Sequence, residues 1–390
     1  KLGQTFTLDL SNELGDSTRV SFPHPDIYEI LTPNSQILID DGRIKLQIVE
    51  QHKDRLITEL LKDCIISNHK GVNIPDTILP ISPLTNKDKS DLSKALDMGV
   101  DWVALSFVQS AQNVKELREL VSDKALIMAK IEKPSGVKNL KDILNVVDGI
   151  MIARGDLGVE LPPERVPAIQ KNIIQQCREA GKPVVVATQM LESMINNNTP
   201  TRAEASDVAN AIYDGADAVM LSAESAIGKF PIESVIMMNN IIESVENDSQ
   251  NYNESIQMQN KHDTSATDAI TNAAYTISEN AQAKAIVTFS VSGRTTLRMA
   301  RERAPVRVVG ISPNIKTARK LQIAWGVHSC LGEDAHNTRE MVANACSIVK
   351  KADLATINDS IVITAGVPFG NADATNLLRI AKIITDKNLT

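Results

Sequence analysis

The stretch DGIMIARGDLGVE, residues 148–160, runs an apolar strand, Gly149–Ala153, straight into a charged, glycine-containing turn, Arg154-Gly155-Asp156. Unbroken apolar character of this length marks a strand buried on both faces of a parallel sheet. The same rhythm recurs on either side, at Trp102–Val108, Leu126–Ile131, Pro183–Ala187 and Ala218–Leu221. The intervals are roughly 25–35 residues, the length of one strand-plus-helix unit. Between the strands lie helical patterns in which Val114, Leu117 and Val121, or Val166, Ile169, Ile173 and Cys177, share a face. Thr85–Asp88 and Thr201–Glu204 are spaced as helix starts, the second as a T-x-x-E capping box. Repeated units of this kind imply an α/β fold with a parallel sheet, open or closed as a (β/α)₈ barrel. Five strands fall within residues 71–246, too few to close eight.

The flanks read differently. Residues 1–70 contain short β-rich runs, Thr5–Leu10, Thr18–Phe22, Gln36–Ile39, Ile44–Glu50 and Arg55–Leu61. Asp41-Gly42 between two of them predicts a hairpin, because a primed turn requires positive φ. This is a small β module, followed by the linker-like HKGVNIP of residues 69–75. Residues 247–263 are polar and aperiodic, a second linker. Beyond them, residues 264–390 carry strands at Ala285–Phe289, Val306–Ile311, Val327–Leu331 and Ser360–Thr364, an open-sheet α/β domain.

Composition narrows the function. Of 390 residues 43% are hydrophobic, enough for several cores, and 41 basic against 48 acidic side chains give a formal charge of −7. A mildly acidic chain without a basic run is not built for nucleic acid or an anionic membrane. No apolar run approaches the roughly 18 residues of a membrane span, and a cytoplasmic protein is expected. Four cysteines and six histidines show neither disulfide density nor metal-ligand spacing.

In a parallel barrel the chemistry sits at the C-terminal ends of the strands. There the sequence places AKIE, with Lys130 and Glu132 two residues apart on one side of a strand. Asp156 follows the next strand and Thr188 the one after. Glu132 and Asp156 together suit a hard cation such as Mg²⁺, which takes one or two carboxylates and leaves positions for substrate and water. Lys130 beside them suits charge developing on a phosphoryl group or an enolate. If a helical turn starts at Gly155, its N–H groups and those of Asp156 suit a carboxylate. Arg154-Gly155-Asp156 as an adhesion tripeptide is disfavoured by its place at a strand end. In the last domain SVSGRTT, residues 290–296, precedes a helical stretch containing Arg298, Arg301 and Arg303 and suits a phosphorylated regulator.

These stretches carry a resemblance. HKGVNIP, KDKSDL, GVDWVALSFV, MAKIE, DGIMIARGDLGVE, KPVVVATQMLESM and PTRAEASDVANAIYDGADAVMLSAESA, with SVSGRTT more weakly, resemble the bacterial members of the pyruvate kinase family. The match covers most of residues 69–231. It implies a (β/α)₈ barrel, of which five strands are visible here, an inserted β lid and a C-terminal α/β effector domain. It further implies phosphoryl transfer from phosphoenolpyruvate to ADP, giving ATP and an enolate that is protonated to pyruvate. By motif, Glu132 and Asp156 hold Mg²⁺, Lys130 stabilises the transferring group, and Gly155 and Asp156 contact the substrate carboxylate. Thr188 lies near the carbon that is protonated, Lys70 faces the nucleotide, and Arg202 lies at a subunit contact of a homotetramer. Ser290, Ser292, Gly293, Arg294 and Thr295 are the candidate effector residues.

The resemblance is incomplete at the start. Three barrel strands normally precede the lid and bring a phosphate-contacting arginine and the K⁺ ligands; their motifs are not found in these 390 residues. On that count the chain as written is expected to be inactive and prone to aggregate or to need a partner, its barrel open beside Trp102–Val108 and Ala218–Leu221. Two other readings compete: a Mg²⁺-dependent aldolase or lyase working through a pyruvate enolate, and a non-catalytic remnant. Two carboxylates at barrel strand ends fit the former as well, since fold alone does not decide function.

Overall fold

The computed structural model describes residues 1–68, 70–75, 77, 82–248, 265–333, 335–368 and 375–384. The linker expected over 247–263 therefore lies, beyond Asp248, outside the described residues, as do His69 of HKGVNIP and Thr264.

The N-terminal sheet has six strands, β1 (Thr5–Asp9), β2 (Arg19–Ser21), β3 (Gln36–Ile39), β4 (Ile44–Gln51), β5 (Arg55–Leu60) and β6 (Val72–Asn73), ordered β2-β1-β5-β4-β3-β6. Its inward positions alternate along the strands, and Leu8, Ile37, Leu46, Ile48 and Leu56 close over the short helix Pro25–Tyr28. The expected hairpin joins β3 to β4: Asp40, Asp41 and Gly42 all take positive φ, and Arg43 N–H donates to the Asp40 carbonyl at 3.1 Å. Two features depart from a plain meander. β2 lies parallel to β1, held by the bidentate Arg19–Asp9 pair, and Pro23-His24-Pro25, expected as a turn, leads into a helix.

The second sheet is parallel throughout. It comprises β7 (Trp102–Leu105), β8 (Leu126–Ile131), β9 (Gly149–Ala153), β10 (Val184–Ala187) and β11 (Ala218–Met220), in sequential order. β10 is buried at every residue, whereas β11 and most of β7, the two edges, are only partly covered. Val114, Leu117 and Val121 are buried against the sheet from the helix Ala111–Val121, and Ile173 and Cys177 from the helix Val166–Glu179. Both expected capping residues hold: Thr85 and Thr201 each open a helix with a reciprocal capping box.

The third sheet is β12 (Ala285–Phe289), β13 (Arg307–Ser312), β14 (Val327–Leu331), β15 (Ser360–Ala365) and β16 (Leu377–Lys382), ordered β14-β13-β12-β15-β16, with β16 antiparallel. Its contact with the N-terminal end of the second sheet includes one buried arginine. Arg303 donates to the Asp217 carboxylate at 3.0 Å and to the Gly215 carbonyl at 2.7 Å, and its guanidinium lies 4.9 Å from the Trp325 ring centre. Asp217 in turn accepts from Val184 N–H of β10 and from Trp325 N–H. The β10–β11 pairing starts beside that carboxylate, at Val185 and Ala218, and runs to Ala187 and Met220 at the opposite end, which carries the polar groups.

Candidate active site

The polar groups gather at the C-terminal ends of β7 to β10. Lys130, the second-to-last residue of β8, extends Nζ to Glu132 Oε1 at 2.7 Å and to Ser106 Oγ at 2.9 Å. Glu132 is 1% exposed, and its other oxygen accepts the Phe107 N–H at 2.6 Å. Phe107 presents that N–H from a left-handed conformation, φ +54°, so the turn after β7 is wrapped onto the carboxylate. Burial pushes the Glu132 carboxyl above its ordinary range. The Asp156 charge pushes the same way, while Lys130 and the Phe107 N–H oppose it. Two carboxylates close enough to repel, one of them buried, could hold a divalent cation. A cation neutralises both and relieves the desolvation of Glu132. No group of three or more His, Cys, Asp or Glu side chains suited to a metal occurs among the described residues.

Strand β9 passes without a loop into the helix Arg154–Glu160, so the helical turn expected at Gly155 is present. Its Gly155 N–H is not open, however. It donates to Thr188 Oγ1 at 2.8 Å, and a Cβ at position 155 would lie 3.4 Å from that oxygen. A substrate carboxylate reaching Gly155 therefore competes with the Thr188 hydroxyl. Thr188 and Gln189, at the end of β10, both adopt left-handed conformations, φ +68° and +55°. Each such residue other than glycine costs about 1–3 kcal/mol and persists only where its surroundings over-determine it. Glu224, buried past β11, braces the same loop by accepting from Leu191 N–H at 3.1 Å and Ser222 N–H at 2.8 Å.

Lys70 stands apart from this cluster, paired with Asp40 at 2.8 Å on the hairpin side of the N-terminal sheet, and it holds the Asp40 carboxyl below the usual range. It lines a cleft of about 1690 Å³ between that sheet and β7, together with Asp41, Ser106, Phe107, Lys133 and Asp156. Lys130, Glu132 and Thr188 are not in the wall of this cleft. Lys133, the residue after the Lys130–Glu132 pair, turns inward: with Asn73 of β6 it donates to Glu160 Oε1, at 2.9 and 3.1 Å, and so ties the N-terminal sheet to the helix bearing Asp156.

This order of strands and sheets has close counterparts. Residues 1–235 match the family model "Pyruvate kinase, barrel domain" and residues 268–381 match "Pyruvate kinase, alpha/beta domain". A pyruvate kinase of Methylorubrum extorquens is 48% identical over 379 residues, 97% of this chain and 79% of the relative. One of Agrobacterium vitis is 46% identical over 389 residues, 99% of this chain and 80% of the relative. The crystal structure of a pyruvate kinase from Cryptosporidium parvum superimposes with a TM-score of 0.90 at 34% identity, covering 98% of this chain and 79% of that one. The chain belongs to the pyruvate kinase family. It is accordingly an enzyme, a phosphotransferase of glycolysis, with the family's barrel and C-terminal α/β architecture.

Other residues expected from the pyruvate kinase motifs lie away from the centre. Arg202 is exposed at the first turn of the helix Arg202–Tyr213. In the third domain Ser290 Oγ accepts the Gly293 N–H at 3.0 Å, Gly293 takes φ +84°, and Ser292 and Arg294 are exposed. Thr295 instead points inward to Thr375, at 2.6 Å. The basic helix expected behind this loop does not serve it. Arg298 and Arg301 pair with Asp268, at 3.1 and 2.7 Å, and Arg303 lies past the helix Arg294–Arg301, at the contact with the second sheet. Sequence alone also missed Arg154, Glu224 and the Lys133–Glu160–Asn73 link. The usable signal was charge in otherwise apolar strand-end segments.

Proposed function

We propose that the ends of β8, β9 and β10 form the centre at which this chain moves a phosphoryl group from phosphoenolpyruvate to ADP, yielding pyruvate and ATP. The observation that carries the reading is the Lys130–Glu132 pair at a strand end, its carboxylate buried and within the influence of Asp156. Pyruvate kinases generally use Mg²⁺ and K⁺. Glu132 and Asp156 would hold the Mg²⁺, which when bound supplies positive charge to the oxygens of the substrate and the transferring group. Lys130 adds a fixed ammonium, oriented by Ser106 Oγ, toward charge that develops during transfer. Gly155 and Asp156 orient the substrate carboxylate, displacing the Thr188 hydroxyl from the Gly155 N–H. Thr188, freed at that moment, lies at the carbon of the enolate that gains a proton. Lys70 in the cleft beneath the N-terminal sheet meets the nucleotide phosphates. None of the described residues is assigned to K⁺.

The division into a β lid over residues 1–70, a barrel part over 71–246 and an effector domain over 264–390 belongs to the same proposal, as do a cytoplasmic location and a homotetramer joined at Arg202. No helix among the described residues is long and apolar enough to cross a membrane. A phosphorylated effector would bind at Ser290, Ser292, Gly293, Arg294 and Thr295, with Ser292 and Arg294 as the exposed contacts. Replacing both, Ser292→Ala with Arg294→Ala, is expected to abolish activation by sugar phosphates or nucleoside monophosphates while basal turnover stays. Unchanged activation curves would place the effector elsewhere.

The direct test is formation of ATP from phosphoenolpyruvate and ADP, with and without a chelator of Mg²⁺. Turnover that chelation stops and Mg²⁺ restores is the expected result. Turnover of pyruvate with an aldehyde acceptor, without nucleotide, would instead identify a lyase on the same carboxylates.

A further inference from the structure

Arg154 opens the charged turn after β9, yet its side chain is only 7% exposed and leads to the neighbouring strand end. Nη2 donates to the carbonyls of Thr188 and Gln189 at 2.9 and 3.0 Å, and Nε donates to the Thr188 carbonyl at 3.3 Å. Nη2 also lies 2.9 Å from Met190 Sδ. On its far side Nη1 pairs with the Asp207 carboxylate, at 2.6 Å to the nearer oxygen, and Asp207 is carried by the helix Arg202–Tyr213. The two carbonyls that Arg154 binds belong to the two consecutive left-handed residues at the end of β10. A β-branched residue does not hold that conformation on its own preference. A rigid planar fork that reaches two adjacent carbonyls and a carboxylate supplies the missing constraint, which an ammonium on a flexible stem does not.

We propose that Arg154 is a positioning residue for Thr188. Its guanidinium, anchored by Asp207, fixes the left-handed turn at residues 188–189 and thereby aims Thr188 Oγ1 at the Gly155 N–H, the point where the substrate carboxylate enters. The inference rests on the assignment of Thr188 to the protonation step. It adds that this hydroxyl is placed by a residue from the neighbouring unit, the first of the helix that follows β9. Arg154 and Gly155 are adjacent in the chain, so the group that sets the turn and the group that Thr188 addresses move as one.

The test compares Arg154→Lys, Asp207→Asn and Thr188→Val in the full enzyme. Three quantities are read: kcat and KM for phosphoenolpyruvate, exchange of solvent protons into pyruvate C3, and the melting temperature. A displacement of about an ångström at a reacting group costs on the order of 10²-fold. Arg154→Lys is therefore expected to lower kcat and proton exchange by roughly 10- to 100-fold, with KM changed less than about threefold and melting near that of the parent. Asp207→Asn, which keeps an acceptor but removes the charge, is expected to move exchange in the same direction by less. A purely structural Arg154 would lower melting and all activities together, and that pattern overturns the inference. Full exchange in Arg154→Lys with exchange lost in Thr188→Val also overturns it while leaving the role of Thr188 intact. Full exchange in Thr188→Val removes the assignment of Thr188, and the inference with it. If Arg154→Lys does not fold, Asp207→Asn carries the comparison alone, and parental exchange there is the overturning result.

Discussion

Glu132→Gln is expected to remove Mg²⁺-dependent phosphoryl transfer, by on the order of 10²-fold or more, while the protein stays folded. The amide matches the carboxylate in shape and still accepts the Phe107 N–H that now binds Glu132 Oε2 at 2.6 Å. What it loses is the negative charge. Burial raises the Glu132 carboxyl above its ordinary range, so folding without a cation disfavours the ionised form relative to the unfolded chain. Removing that charge therefore should not lower the melting temperature of the metal-free protein. A ligand that binds only the native state raises melting by mass action. The parent should accordingly gain stability on addition of Mg²⁺, and Glu132→Gln should gain much less. Asp156→Asn should behave in the same way, with a smaller effect on the metal-free protein, because Asp156 is only partly buried. Ordinary turnover of Glu132→Gln at ordinary Mg²⁺, or an unchanged Mg²⁺-induced shift in melting, would reject the metal assignment.

What could be read from the sequence follows from which forces act locally. β8, β9, β12 and the strand Gln36–Ile39 coincide with their expected limits, because largely apolar runs between polar turns are set mainly by burial. β16 was not foreseen. It is an edge strand with only Ala381 fully buried, so its residues carry no clear period. The parallel pairing of β1 with β2 was hidden for another reason: periodicity says which face is buried and nothing about strand direction. The gathering of Lys130 and Glu132 at one strand end was legible because charge there interrupts an otherwise apolar pattern. The contacts of Arg154 were not, since its partners Thr188 and Asp207 stand 34 and 53 residues away in the chain. The same applies to Arg303, whose bond to Asp217 spans 86 residues. Arginine at the start of a motif and arginine in a helix look alike until the fold decides which of them is buried. In the third domain this made a basic helix appear to face a ligand when it faces Asp268 and the second sheet.

Lys130→Met is expected to cost phosphoryl transfer on the order of 10²- to 10³-fold, the loss typical when one preorganised charge or donor is removed from a developing anion. The methionine fills much of the same space but cannot reach Glu132 Oε1 or Ser106 Oγ, now 2.7 and 2.9 Å from Nζ. Glu132 then loses the cation that lowers its carboxyl. Its carboxyl rises further, and some of the transfer defect should be recovered by raising Mg²⁺, because the metal replaces the missing neutralising charge. The enolate step separates Lys130 from Thr188. Thr188 lies at the end of β10, bonded to Gly155 N–H rather than to Lys130. Thr188→Val is expected to slow solvent-proton exchange into pyruvate C3 more than it slows transfer, and Lys130→Met the reverse. Measuring ATP formation and C3 exchange side by side in both variants decides the matter. Equal losses of the two activities in both would mean that one group of charges serves both steps, and the separate placement of Lys130 on β8 and Thr188 after β10 would then have no chemical counterpart.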